Sequence, residues 1–160
     1  MRKGIADLHR RAEVSQKANA RLLNALASAD DSRSVEELTA GIQHHTTYSG
    51  RRVRGLRPWA EDKDLMTAIN HGEFLINGFR NRDLQALLYQ TQATAPEERR
   101  RRSAAISRKL RLLRAHGLIQ KVPRTHRYHV TDAGRNILIA VLTTSRTSVN
   151  QLNELAAKAA

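Results

Sequence analysis

Residues 103–135, SAAISRKLRLLRAHGLIQKVPRTHRYHVTDAGR, carry the clearest structural signal in the chain. Ile106, Leu110 and Leu113 recur at steps of four and three, which places them on one side of a helix. Gly117 follows at the position where the end of a helix favours a residue that tolerates positive φ. The rest of the stretch predicts two short strands joined by a basic turn, and then the first turn of another helix.

Basic side chains occupy the rest of this helix. A cationic helix beside a two-stranded ribbon with a basic tip is typical of a winged helix-turn-helix, in which one helix enters the major groove of DNA. The predicted fold class is therefore mainly α with a small β wing, a winged helix-turn-helix with N-terminal and C-terminal helical extensions. The predicted domains are a helical extension with a possible hairpin over residues 1–58, the winged helix over 59–145, and a C-terminal helix over 146–160.

Charge points to an anionic partner. The 160 residues carry a formal net charge of +13. Between Arg80 and Arg135, twelve Arg and two Lys stand against four acidic residues, so this segment supplies +10 of the total. Net charge alone does not show whether that partner is nucleic acid or a membrane surface. However, Arg outnumbers Lys by 22 to 6, and Arg is the better bidentate ligand for phosphate and guanine.

The composition also argues against several classes of protein. Cysteine is absent, which excludes disulfides, thiolate metal sites and cysteine nucleophiles. No apolar run approaches the roughly twenty residues of a membrane helix, and the N-terminus lacks the apolar core of a secretory signal. We expect a cytoplasmic, nucleoid-associated protein of a bacterium or archaeon, or a nuclear one if the source is eukaryotic.

Histidines and acidic residues give no sign of an active site. His126 and His129 are three apart on a predicted strand, so their side chains leave opposite faces and do not share a metal ion. No nucleophile elbow or phosphate-binding loop is present, and the acids required by a two-metal nuclease are scattered. We therefore predict no enzyme activity, no catalytic residue, no metal and no cofactor.

The sequence before and after the basic helix divides into short elements. Residues 4–29 have a helical apolar pattern, a capping box at residues 34–37 predicts a second helix, and residues 45–56 predict a hairpin around Ser49-Gly50. A third helix opens at Asp62 or Asp64.

Further signals lead into the basic helix and out of the wing. Residues 74–76 predict the first strand of the wing sheet, and Asn81 is expected to be the N-cap of a fourth helix. Residues 91–95 form the turn, and Pro96 suits the first position of the basic helix. Thr131 is the expected cap of the last helix.

Two stretches resemble bacterial repressors of the ArsR and MarR types. Residues 106–119, ISRKLRLLRAHGLI, are similar to the recognition helix and following strand of those families. Residues 130–135, VTDAGR, are similar to the strand-to-helix signature that closes the wing in MarR-like proteins. The resemblance covers roughly residues 60–145 and implies binding to double-stranded DNA.

The resemblance implies that Ser103, Ser107, Arg108 and Arg111 face the DNA groove and that Arg124 lies at the wing tip. The wing loop lacks the Asp that braces the wing Arg in MarR-type repressors, so a phosphate contact by Arg124 is expected instead of insertion into the groove. The complete set of candidate DNA-binding residues is Arg99, Arg100, Arg101, Arg102, Ser103, Ser107, Arg108, Lys109, Arg111, Arg124, Thr125 and Arg127.

The whole chain also resembles the C-terminal region of longer uncharacterised bacterial proteins that are loosely associated with mobile elements. The stretches IADLHRRAEVS (residues 5–15) and NGFRNRDL (77–84) carry this likeness. It implies a truncated relative or a fragment with a role in DNA handling. We expect transcriptional regulation or mobile-element DNA handling, with two alternatives: a nucleic-acid-binding appendage or fragment of a larger enzyme, and a winged helix that binds proteins.

Apolar stripes outside the winged helix predict a homodimer. An apolar stripe on a helix is normally buried against another apolar surface. In MarR-like repressors the equivalent helices pair across a two-fold axis. The alternative is an extended monomer whose first helix folds back on the winged helix. The residues concerned are Ile5, Leu8, Leu22, Leu26, Val149, Leu152 and Leu155.

Overall fold

The computed structural model describes residues 33–151 and the isolated positions 12, 16, 153 and 157. This part of the chain is mainly helical, with two short antiparallel hairpins, so the coarse fold class predicted from the sequence is confirmed. In chain order the elements are α1 (Val35–Gln43), β1 (Thr46–Tyr48), β2 (Arg51–Val53), α2 (Lys63–Ile69), α3 (Gly72–Asn77), α4 (Asn81–Leu88), α5 (Pro96–Ala115), β3 (Ile119–Lys121), β4 (Tyr128–Val130) and α6 (Asp132–Arg146).

A single apolar core joins these elements. Ile42 on α1 and Leu56 after β2 are buried together with Leu65, Ile106 and Val141, which come from three later helices. Helix α1 packs against α6, and α4 packs against both α2 and α5. Residues on both sides of the predicted domain boundary at residue 58 thus share one core; the division into domains itself stays a prediction.

Several local predictions are confirmed. Ser34 and Glu37 form the capping box at the start of α1. The Thr131 hydroxyl accepts a hydrogen bond from the Gly134 N–H at 2.9 Å and so caps α6. Gly117 has φ +70° after the end of α5, a conformation that residues with a Cβ adopt at a cost.

Gly134 has a different role, which is to permit close packing. A Cβ at this position would lie 2.2 Å from the carbonyl oxygen of Leu118. The first turn of α6 therefore touches the backbone where α5 passes into β3. This contact holds the last helix against the base of the second hairpin, which explains why the VTDAGR stretch has glycine at position 134.

Two local predictions are wrong. Residues 74–76 belong to helix α3, because Phe74 packs on one side of that helix against Phe79, with ring centroids 5.1 Å apart. Phe79 instead forms an isolated antiparallel bridge to Tyr128. The N-cap of α4 is Arg80 and not Asn81, since the Asp83 carboxylate accepts from the Arg80 N–H at 2.8 Å.

Apart from the isolated positions 12 and 16, the predicted helix over residues 4–29 lies outside the described residues, and so do seven of the fifteen residues of the predicted C-terminal helix. The same holds for six of the seven apolar residues invoked for a homodimer. The seventh, Val149, is 71% exposed. The homodimer therefore stays a prediction.

A buried ion pair fixes the segment between β2 and α2. The Asp62 carboxylate is fully buried and accepts two hydrogen bonds from the Arg54 guanidinium, at 2.7 and 2.8 Å, and one from the Arg57 N–H at 2.9 Å. Burial opposes ionisation of this group, but the hydrogen bonds outweigh burial and hold the pKa of the Asp62 carboxyl below its ordinary value. A carboxyl group with a lowered pKa stabilises the fold while it is ionised.

We predict that Asp62→Asn lowers the free energy of unfolding by about 1.5–3 kcal/mol near neutral pH, because hydrogen bonds to a charged group are lost. Since the folded-state pKa is depressed, the contribution is complete above the unfolded-state pKa of about 3.9 and disappears as the pH falls through the folded-state value. Urea unfolding at neutral pH and below about pH 3 measures both values. A difference between wild type and variant that stays constant with pH would contradict this account.

Candidate nucleic-acid interface

Helix α5 presents a continuous exposed strip, which we call the α5 ridge: Arg100, Ala104, Ser107 and Arg111. The steps of four, three and four residues place these side chains on one face of the helix. The first three are exposed and Arg111 is half-buried. The opposite face buries Ile106, Leu110 and Leu113 in the core. Core packing therefore determines which side of α5 faces outward.

Helix α4 crosses one flank of the ridge and is tied to it by Asn81. The Asn81 Nδ2 group donates to the Ser103 carbonyl at 2.9 Å and to the Ser107 Oγ at 3.0 Å, while Gln85 donates to Asn81 Oδ1 at 2.6 Å. Ser103 and Ser107 thus lie where α4 meets α5. These bonds fix the orientation of the ridge relative to α4.

Arg102 braces the turn between α4 and α5. Its guanidinium contacts the Thr91 carbonyl and the Glu98 carboxylate, and it lies over the Tyr89 ring, 4.6 Å from the ring centroid. The Arg102 side chain is only 15% exposed. These intramolecular contacts leave little of this candidate residue for an external partner.

A tight turn forms the tip of the second hairpin. The Thr125 N–H donates to the Val122 carbonyl at 3.2 Å, and the Thr125 hydroxyl donates to the same carbonyl at 3.0 Å. Arg124 occupies the third position of this turn with φ +58°, and its side chain is exposed. Thr125 is therefore a structural residue of the turn, and Arg124 is the cation at the tip.

Arg127 anchors the base of the hairpin instead of its tip. Its guanidinium donates to the Asn77 carbonyl at the end of α3, at 2.8 Å. The neighbouring Tyr128 exchanges backbone hydrogen bonds with Phe79 at 2.8 and 3.0 Å. Together these contacts hold β3 and β4 against the segment that leads into α4.

The space between α4, the ridge and this hairpin is a polar groove, which we call the α4-side groove. It contains two arginines from the start of α4 and a histidine from the hairpin loop. The residues that line it are Arg80, Asn81, Arg82, Gln85, Ser103, Ser107, Leu110, His126 and Tyr128.

Arg108 and Lys109 lie toward the other flank of α5. Arg108 is exposed, whereas Lys109 is half-buried and close enough to Asp62 to help lower the pKa of that carboxyl. The Arg111 side chain extends toward the same flank, where its Nη2 group donates to the Tyr48 carbonyl oxygen at 3.4 Å.

Seven of the nine candidate cations fall into two groups, and the other two, Lys109 and Arg111, are half-buried. Arg102 and Arg127 are used within the fold. A second set is exposed and makes no ion pair within the part of the chain that the structure describes. This set comprises Arg99, Arg100, Arg101, Arg108 and Arg124. The exposed set is the part of the interface able to attract an anion.

Sequence reasoning missed three residues of this surface. From the sequence, Asn81 is predicted only as a helix cap, Ala104 is not a candidate residue, and Arg82, whose side chain is 74% exposed, contributes only to the net charge. The i, i+4 pair of Asn81 and Gln85 and the position of Ala104 between Arg100 and Ser107 were the available signals. Both become informative only once the buried side of α5 is known.

Two further kinds of site or segment can be assessed in the described ranges, a metal site and a membrane-spanning helix. No three His, Asp or Glu side chains there come together as a metal ligand set, and no helix there is both long and apolar enough to cross a bilayer. Comparison of the chain with family models, curated proteins and solved structures finds no match.

The positive φ at Arg124 gives a prediction about stability. Replacement by glycine removes the steric cost of this conformation, so Arg124→Gly should preserve or raise the free energy of unfolding, by up to about 1 kcal/mol. Arg100→Gly is the matched control, because the same change inside α5 should cost about 1 kcal/mol. Urea unfolding measures both variants; equal losses would contradict the assigned turn geometry.

Proposed function

We propose that this chain binds double-stranded DNA as a winged helix-turn-helix, with α5 as the recognition helix and the β3–β4 hairpin as the wing. The observation that carries the proposal is the α5 ridge, an exposed helical strip with arginines at its ends and small residues between them. Exposed arginines without ion pairs in the described part of the chain surround it. This proposal agrees with the resemblance to ArsR-type and MarR-type repressors.

The size of the ridge side chains favours entry into a groove. Ala104 and Ser107 keep the middle of the ridge low, so the helix backbone can approach base edges. Arg100 and Arg111 are eleven residues apart, about 16 Å along a helix, compared with a major groove about 12 Å wide. The two arginines can then reach guanine edges or phosphates at either end of the contact.

The aromatic residues favour duplex over single-stranded nucleic acid. Proteins that bind single strands stack bases on exposed aromatic rings. In the described ranges Phe74 and Phe79 are buried, Tyr48, Tyr89 and Tyr128 are half-buried, and Trp59 is 45% exposed. One exposed ring does not form a stacking platform.

The wider role that we propose is transcriptional regulation or the handling of mobile-element DNA. Its support is the resemblance of residues 60–145 to bacterial repressors, and of the whole chain to the C-terminal region of longer uncharacterised bacterial proteins loosely associated with mobile elements. A homodimer would place two copies of α5 about one DNA turn apart. The competing roles are a protein-binding winged helix and a DNA-binding appendage of an enzyme.

The sharpest test places a negative charge in the centre of the ridge. Ala104→Glu should weaken binding to a mixed-sequence duplex by roughly 100-fold, because the larger side chain holds the helix away from the base edges and places a negative charge between the two phosphate backbones. The control is Ala40→Glu, the same change at an exposed position of α1. Fluorescence anisotropy with a labelled duplex measures affinity, and thermal unfolding verifies that both variants are folded.

Wild-type affinity for duplex in Ala104→Glu, or equal losses in the two variants, would overturn the assignment of α5. The salt dependence of wild-type binding separates the competing roles. Each phosphate contact contributes a slope of about −0.9 in log affinity against log salt. A chain that binds no duplex, and whose protein partner tolerates high salt, would support the protein-binding alternative.

A further inference from the structure

The β1–β2 hairpin lies outside the region that resembles repressors, yet it also carries arginines. Its two-residue turn consists of Ser49 (φ +50°) and Gly50 (φ +71°), the left-handed pair typical of a tight hairpin turn. Arg51 and Arg52 follow the turn directly and pair with Tyr48 and Thr47. Both arginines are exposed, which places two cations at the tip of this hairpin.

Contacts with the C-terminal half of α5 fix the hairpin in place. The Arg114 guanidinium lies over the Tyr48 ring, 5.3 Å from its centroid, and His116 Nε2 is 2.8 Å from the Arg54 carbonyl oxygen. Val53 packs against the common core. The hairpin is therefore oriented relative to α5 before any partner binds.

Four arginines lie between residues 51 and 57, and the fold uses two of them. Arg54 pairs with the buried Asp62, and Arg57 pairs with Glu61 at 2.7 Å. Arg51 and Arg52 form no ion pair within the described ranges. Two arginines that form ion pairs within the fold therefore follow closely after two exposed arginines that form none in the described part of the chain.

A second groove, the hairpin groove, separates β2 from α5. The residues that line it are Arg52, Val53, Arg54, Arg108, Lys109, Arg111 and Leu112. Five of these seven lining residues are cations, and the other two are apolar. A concave surface lined by one sign of charge concentrates counter-ions of the other sign.

The two grooves lie on opposite flanks of α5. Ser103 and Ser107 border the α4-side groove, whereas Arg108 and Leu112 border the hairpin groove. A helix in the major groove has one phosphate backbone on each side. Cations on both flanks thus match both strands of a duplex.

We infer that the β1–β2 hairpin is a second wing, with Arg51 and Arg52 as ligands of the DNA phosphate backbone on the side of α5 opposite the β3–β4 wing. Arg108 contributes to the same contact from α5. The inference rests on the proposed function, since its ligand is the backbone of the duplex whose groove holds α5. Phosphate contacts of this kind add affinity and fix register without reading sequence.

The test compares single variants of the full chain in salt titrations with a mixed-sequence duplex. Arg51→Ala and Arg52→Ala should each reduce the magnitude of the salt slope by about 0.9. Arg57→Ala is the matched control, because it removes the same charge from a residue already paired with Glu61, and it should leave the slope nearly unchanged. Slopes for Arg51→Ala and Arg52→Ala that match Arg57→Ala would overturn the second wing.

A cleavage experiment tests position independently of affinity. The chain has no cysteine, so Thr47→Cys on the exposed edge of β1 takes a single iron-chelate cleavage reagent, with Ala40→Cys as the control. Backbone cleavage of the duplex from Thr47→Cys, and none from Ala40→Cys, is expected. Equal or absent cleavage from both would overturn the second wing.

The two hypotheses fail in different ways. If wild type binds duplex, Ala104→Glu weakens that binding by roughly 100-fold, and the Arg51 and Arg52 variants behave like Arg57→Ala, the second wing is wrong while the proposed function stands. If wild type binds no duplex, the proposed function fails first. Binding of an acidic polypeptide at the hairpin groove in place of duplex would overturn both.

Discussion

The burial of one side of α5 is the constraint on which the rest of the structure depends. Ile106, Leu110 and Leu113 are almost completely inaccessible to solvent, and each such side chain contributes about 1.5–3 kcal/mol when buried. Because a helix is rigid, fixing this side in the core fixes the opposite side in solvent. The exposed ridge follows from that orientation, and the two grooves form where α4 and the hairpins pack on either flank of the helix.

The arginines of this chain have two distinct uses. Some, such as Arg54, Arg102 and Arg127, join elements through carboxylates and carbonyl groups. Others, such as Arg100 and Arg108, are exposed around the ridge. The first set holds the elements that carry the second in fixed positions, so that little loop ordering remains to be done when a partner binds. A simple count of positive charge does not distinguish these two sets.

Local chemistry made much of the fold predictable. The capping box at Ser34, the cap at Thr131 and the positive φ of Gly117 depend on hydrogen bonds and sterics within a few residues, and all three are confirmed. Residues 74–76 were wrongly predicted as a strand, because a short apolar run fits a strand and a buried helix equally well. The contact between Phe74 and Phe79 decided between them, and it depends on the packing of the whole core.

The sequence by itself determined the basic helix, its apolar side and the two turns that make hairpins, because helical period, turn residues and charge are local properties. It could not separate Arg108 from Arg102, since their difference lies in whether Glu98, Thr91 and Tyr89 are near. Only the tertiary structure brought the β1–β2 hairpin beside α5, some sixty residues later in the chain. Contacts between residues so far apart in the chain depend on how all the elements pack around the common core, and no local sequence pattern determines that packing.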